Sequence, residues 1–281
     1  MRTVQASLIT QTIRDLIYEA SYVIGNDVVE TICAFKAKEP SPSGRAVLDQ
    51  LLENYEIAKT QRVAICQDTG MCIVFMDIGQ DVHIEGEALY EAVSQGVREA
   101  YAQGYLRKSV VRDPLYDRTN TRDNTPPILH TRIVPGDKID ILVSPKGFGS
   151  ENMSAIAMLV PADGEAGVID FVVKTAVNAG SNPCPPIIVG VGIGGTMELA
   201  TLMAKRMTAR ALDVPNKDPR YQALEEKILE KINRSGIGPA GIGGRTTALK
   251  VNIDVAPTHI AGMPVAVNIC CHAARHAHAI I

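Results

Sequence analysis

Apolar residues recur at helical spacing through the first 60 positions. Ile9, Ile13, Leu16, Ile17 and Ala20 share one face within residues 7–23, the mark of an amphipathic helix. Residues 27–38 and 43–59 predict two more helices. They are separated by Glu39-Pro40-Ser41-Pro42, where prolines block continuation. Cys33 falls in the second of these among Val28, Val29 and Ile32 and is expected to pack in the core.

Beyond residue 60 the pattern shortens. Residues 62–65 and 71–76 are apolar runs of strand length, and residues 85–103 read as a helix closed by Gly104. Residues 128–134 and 138–143 predict strands joined by the turn Pro135-Gly136-Asp137. A helix over 165–179 stops at Gly180, and a strand over 187–193 leads through glycines into a helix over 197–210. Asp218-Pro219 caps another helix, with Leu224, Ile228, Leu229 and Ile232 inward and Gly236 at its end. Strands over 246–255 and 263–269 complete the series. The expectation is a mixed α/β (α+β) fold, its N-terminal helices packed on a mixed sheet with further helices; strand order does not follow from the pattern. No repeat or interdomain linker is visible, so one domain over 1–281 is expected, with a helical portion (1–60) and a chemistry-bearing portion (61–281).

Composition narrows the class. Hydrophobic residues make up 46% and charged residues 21%, enough apolar content to bury a core. The net charge of -3 argues against nucleic acid as a partner. No apolar run reaches the roughly 18 residues that span a bilayer, and the first residues lead into no signal peptide, so a cytoplasmic location is expected. Six cysteines in such a chain read as free thiols or metal ligands rather than a disulfide framework.

Three of those thiols sit beside strand ends in stiffened loops. Cys66 opens Cys66-Gln67-Asp68-Thr69-Gly70, where thiol, amide, carboxylate and hydroxyl adjoin and a glycine permits a tight turn. Cys184 lies within Asn182-Pro183-Cys184-Pro185-Pro186, a rigid frame that a ligand gains from and a packing residue does not need. One of Cys270 and Cys271 ends the last strand. Three thiolates would hold an iron–sulfur cluster with one iron left open as a Lewis acid. A zinc site at the His/Cys-rich end is the competing reading, although no CxxC or HxxxH pairing is present. Gly147 and Gly149 belong to a glycine-rich loop able to cradle an anion. Arg107 opens a basic loop in which a guanidinium could clamp a carboxylate. The Gly190–Thr196 turn fits either an exposed helix N-terminus holding a carboxylate or close packing of a helix on a sheet. It fits a dinucleotide fingerprint poorly.

Cys66-Gln67-Asp68-Thr69-Gly70, Lys146-Gly147-x-Gly149-Ser150-x-Asn152, Cys184-Pro185-Pro186, Gly192-Ile193-Gly194-Gly195-Thr196, and His259 twelve residues before Cys271 occur in order. Together they resemble the class I (iron–sulfur) fumarate hydratases and the related L-tartrate dehydratases, over about residues 61–271. The resemblance implies a 4Fe-4S cluster on Cys66, Cys184 and Cys271. It implies substrate contacts from Gln67, Asp68, Thr69, Arg107, Gly147 and Gly149, and catalytic roles for Asp68 and His259. It also implies an α subunit that needs a separate β subunit, in a hetero-oligomer such as α2β2. The expected activity is the hydro-lyase reaction between fumarate and (S)-malate, with L-tartrate or a methylated fumarate (mesaconate) as alternative substrates. An iron–sulfur redox or sensor protein is the alternative of another class; Gln67, Asp68 and Arg107 speak against it, being polar groups that an electron carrier does not use.

Overall fold

The computed structural model describes all 281 residues, Met1–Ile281. Strand β1 (Arg2–Gln5) precedes helices α1 (Ala6–Tyr22), α2 (Asn26–Lys38) and α3 (Pro42–Gln61). Strands β2 (Met71–Gly79) and β3 (Val82–Glu85) lead to α4 (Leu89–Gln103), then β4 (Ile128–Val134) and β5 (Ile139–Lys146). The short α5 (Phe148–Glu151), β6 (Ala155–Leu159), α6 (Gly164–Ala179), β7 (Ile187–Gly194) and α7 (Met197–Met207) follow. The chain closes with α8 (Pro219–Asn233), β8 (Ala248–Ala256), β9 (Met263–Cys270) and β10 (Ala277–Ile280). The fold is mixed α/β, as the pattern predicted, and its strands form three sheets rather than one.

The chain divides into two compact units. The first comprises Met1–Ile24, Tyr55–Phe148 and Arg275–Ile281. Its main sheet runs β10-β5-β2-β4, with β5 antiparallel to both β10 and β2 and with β2 and β4 parallel; β1 and β3 form a separate parallel pair. Helices α1 and α4 cover this sheet. Ile9, Ile13 and Ile17 of α1 and Val93, Val97 and Tyr101 of α4 join Cys72, Val74 and Met76 of β2 in one core. Gly96 lets the two helices approach closely, since a Cβ there would lie 2.6 Å from the Thr10 carbonyl oxygen.

The second unit comprises Gly25–Asn54 and Gly149–Ala274. Its sheet runs β6-β9-β7-β8, with β7 and β8 parallel and β9 antiparallel to β6 and β7. Every residue of β7 is buried because helices cover both faces, which is why that strand reads as an unbroken apolar run. Ile187, Val189, Val191 and Ile193 pack with α6 and α8, while Gly190 and Gly192 face α7.

Two local expectations are corrected, and one open choice is narrowed. Residues 62–65 form no strand: α3 runs to Gln61, Arg62 takes a positive φ of 51°, and Val63 is exposed. The Cys66 turn therefore links a helix to β2. Cys33 is exposed rather than in the core; Val28 and Ile32 supply the buried face of α2. The glycines of β7 serve helix packing, because a Cβ at Gly190 or Gly192 would lie 2.1 Å from a carbonyl oxygen of α7. The N-terminus of α7 is already turned to its own chain, where Thr196 Oγ1 donates to Glu198.

Candidate active site

In the first unit, sheet register gathers the residues around the Cys66 turn. Met71 of β2 pairs with Lys146 of β5, and Ala277 of β10 pairs with Val143. The turn before β2, the loop after β5 and Arg275 before β10 thus share one end of the sheet. Gly70 is irreplaceable there: its φ is +78°, and a Cβ would lie 2.6 Å from the Lys146 backbone.

The turn is anchored along its length. Thr69 Oγ1 accepts from the Arg107 amide at 2.9 Å and donates to the Arg107 carbonyl at 3.2 Å. The buried Tyr101 hydroxyl lies 2.9 Å from both the Thr69 and Gly70 carbonyl oxygens and donates to one at a time. Burial pushes that phenol well above its ordinary pKa, so it remains a donor. Asn124, fully buried, donates to the Gly70 carbonyl at 3.1 Å and accepts from the Ser109 amide at 2.7 Å.

Asp68 is held hardest. Its Oδ1 accepts from the Gly70 amide at 3.0 Å and its Oδ2 from the Phe148 amide at 2.9 Å, which fixes one rotamer. The Arg275 guanidinium, 4% exposed, donates to the Asp68 main-chain oxygen. A Cβ added at Gly147 would lie 3.1 Å from both Arg275 Nη2 and Asp68 Oδ2, so a side chain there would crowd both groups. Gln67 and Arg107 are exposed beside this carboxylate turn, and Cys66 is partly exposed, its thiol 3.3 Å from Gln67 Oε1.

In the second unit, Cys184 precedes β7 by three residues and Cys271 follows β9 directly. Ile188 pairs with Cys270, so both cysteines stand at one end of that sheet. Cys184 is exposed and Cys271 partly exposed. The glycine-rich loop over 236–247 reaches the same end, where the Ala240 amide donates to the Pro185 carbonyl at 2.8 Å. Glu39, 2% exposed, pins that loop by accepting from the Arg245 amide, the Thr246 amide and the Thr246 hydroxyl. Gly149 is exposed and belongs to this unit.

His259 is not brought to the cysteine end. It lies exposed in the β8–β9 turn, and the eight residues of β9 separate it from Cys271, roughly 25 Å at strand rise. Its Nδ1 accepts from the Ala261 amide at 3.2 Å, a local turn contact.

The donor chemistry suits a thiolate-held group and selects among the six cysteines. None is in a disulfide. Cys72 is fully buried inside β2, out of reach of a bound group, and burial pushes its thiol up to about 12. Cys270 is buried within β9. Cys66, Cys184 and Cys271 are the accessible thiols on stiffened loops at strand ends. No three His, Cys, Asp or Glu side chains converge as a ready-made site.

Tyr101, Asn124 and Arg275 support the turn and do not stand out in the sequence. Arg275 follows the Cys271 motif by four residues and was legible only as a cation in a His/Cys-rich end.

In the first unit, a carboxylate locked by backbone amides stands on a turn with an exposed amide and the Cys66 thiol, a set of groups of the kind that hydro-lyases use. The sequence model of the family described as "Fumarate hydratase (Fumerase)" matches residues 10–280, and the chain belongs to that hydro-lyase family. A Methanocaldococcus jannaschii protein with the provisional name L(+)-tartrate dehydratase subunit alpha is 40% identical over 273 residues, 96% of each chain. The L(+)-tartrate dehydratase subunit alpha of Escherichia coli K12 is 32% identical over 254 residues, 89% of this chain and 83% of the relative, and that of Shigella sonnei is equally similar. No helix is long and apolar enough to cross a membrane.

Proposed function

We propose that the chain is the α subunit of an iron–sulfur hydro-lyase that reversibly adds water across the carbon–carbon double bond of a four-carbon dicarboxylate. Fumarate is the substrate the sequence motifs imply, and the names of the relatives support L(+)-tartrate equally. The observation that carries the reading is Asp68, held by two backbone amides on the turn that begins with Cys66.

Cys66, Cys184 and Cys271 would hold the cluster, which when bound supplies an open iron as a Lewis acid toward a substrate oxygen. Arg107 binds one substrate carboxylate: its backbone is fixed by Thr69, and its side chain projects to solvent. Gln67, exposed next to Asp68, offers an amide donor to the same dianion. In the hydration direction Asp68 is placed to deliver the proton to one alkene carbon while hydroxide adds to the other, or to orient the group that delivers it; in dehydration the proton returns by the same route. Two backbone bonds keep the carboxylate oriented through both directions. Gly147 keeps side-chain bulk away from it. His259 takes no step in this scheme. The second substrate carboxylate and the base that activates water call for groups on a β subunit, as the relatives' names as alpha subunits suggest.

The test is anaerobic reconstitution of the chain with iron and sulfide, followed by iron counting and by absorption and EPR spectra with and without fumarate, malate and L-tartrate. About four irons per chain, with a signal that shifts on adding one of these acids, support the reading and choose the substrate. No bound iron overturns it.

A further inference from the structure

The loop between α4 and β4 is an ordered tongue with an apolar tip. The Arg112 amide donates to the Thr119 carbonyl and the Thr121 amide to the Val110 carbonyl, both at 2.9 Å, so the two limbs pair. Asp113 Oδ1 caps the tip by accepting from the Leu115 amide at 2.9 Å and from the Tyr116 amide. Asp117 accepts from the Thr119 amide and hydroxyl. These bonds hold Leu115 69% and Tyr116 88% exposed, an arrangement that gains nothing for the chain alone.

The tongue is also cationic. Asp113 and Asp117 are used in its own turns, and Asp123 pairs with Arg98. Arg112 and Arg122 are left exposed and without an ion pair. Tyrosine, leucine and unpaired arginine on a rigid support match the hot-spot chemistry of a protein interface, and the cations select an acid-rimmed recess.

Its root is the candidate site itself. Arg107 at one limb is bonded to Thr69, and Asn124 at the other is bonded to Gly70. A companion chain that completes the site must come within reach of this turn, and the tongue extends from it. We infer that the tongue from Ser109 to Arg122 is the docking arm for the companion subunit, with Leu115 and Tyr116 entering an apolar recess rimmed by acidic side chains. The inference rests on the proposed two-chain hydro-lyase.

The test is hydroxyl-radical footprinting of two samples: this chain alone, and the active enzyme purified from its source cells by fumarate- or L-tartrate-converting activity. Oxidation of Leu115 and Tyr116 in the chain alone, protection in the enzyme, and a cross-link from position 116 to a second, different chain are the expected results. Tyr116→Asp and Arg112→Glu are each expected to weaken assembly with that second chain by at least about thirtyfold, with unchanged melting of the isolated chain. A second chain that leaves Leu115 and Tyr116 fully reactive overturns the docking arm and leaves the two-chain reading standing. A cross-link to another copy of this chain also overturns the docking arm. Active enzyme containing this chain alone overturns both.

Discussion

Arg275 reaches across 207 residues of sequence to donate a hydrogen bond to the main-chain oxygen of Asp68. Its Nε is buried without an acceptor, and its Nη2 lies beside Gly147. Burying a guanidinium this incompletely satisfied costs stability, and the return is a fixed position for the turn that bears Asp68.

Replacing Arg275 should therefore disturb turnover more than binding. Arg275→Met in the assembled enzyme is expected to lower kcat by about tenfold to a hundredfold, with KM changed much less and iron content retained. Arg275→Lys should recover only part of the loss, because an ammonium lacks the fork that spans backbone and loop. Steady-state kinetics beside iron analysis decides; equal losses of iron and activity would make Arg275 a purely structural residue.

The thiols should fall into three reactivity classes. In the cluster-free chain, iodoacetamide at mildly alkaline pH is expected to label Cys33 and Cys184 fastest, then Cys66 and Cys271, and to spare Cys72, whose thiol is pushed up to about 12. After anaerobic reconstitution, Cys66, Cys184 and Cys271 should be protected while Cys33 stays reactive. Mass spectrometry of the labelled peptides reads this directly. Protection of Cys33, or continued labelling of Cys184 with iron bound, would reassign the ligands.

What could be read in the sequence follows the range of the forces involved. Helix α1 was visible because its burial repeats every turn, and β7 because helices on both faces make it wholly apolar. The strands β1, β3, β6 and β10 were missed; each has only four or five residues, too few for a period to register. Residues 62–65 look like a strand by composition, yet the positive φ at Arg62 ends α3 there. The Cys66 turn was legible because its chemistry is contiguous. Its supports, Tyr101, Asn124 and Arg275, act from distant positions, and a buried asparagine or arginine carries no local signature. The spacing of His259 from Cys271 was legible too, but spacing along an antiparallel strand measures distance from a site as readily as membership in it.

Acid should release the loop beside Cys184. Burial opposes the charge on Glu39, but bonds from the Thr246 hydroxyl and from the Ser41, Arg245 and Thr246 amides outweigh it and hold the carboxylate below its usual range. A folded-state pKa below the unfolded value means stability that is present above the unfolded value, near 4.3, and lost as pH falls through the folded one. Glu39→Gln is expected to cost about 2–4 kcal/mol at pH 7 and to flatten the acid limb of stability against pH. Denaturant melts at a series of pH values test this; an unchanged acid limb would show that Glu39 contributes no linkage.

Gly192 separates the two accounts of the glycine-rich strand end. If its role is to let α7 lie close on β7, a methyl group 2.1 Å from the Ala200 carbonyl oxygen must push the helix outward. Gly192→Ala should then destabilise the chain by about 1–3 kcal/mol, as overpacked cores do, whether or not a dicarboxylate is present. A turn that held a substrate carboxylate would behave otherwise: the variant would melt normally and lose the stabilisation that added substrate gives the parent. Thermal melts of both proteins with and without fumarate and L-tartrate separate these outcomes. The existing bond from Thr196 to Glu198 at the start of α7 supports the first, since a carboxylate of the chain itself already occupies that helix end.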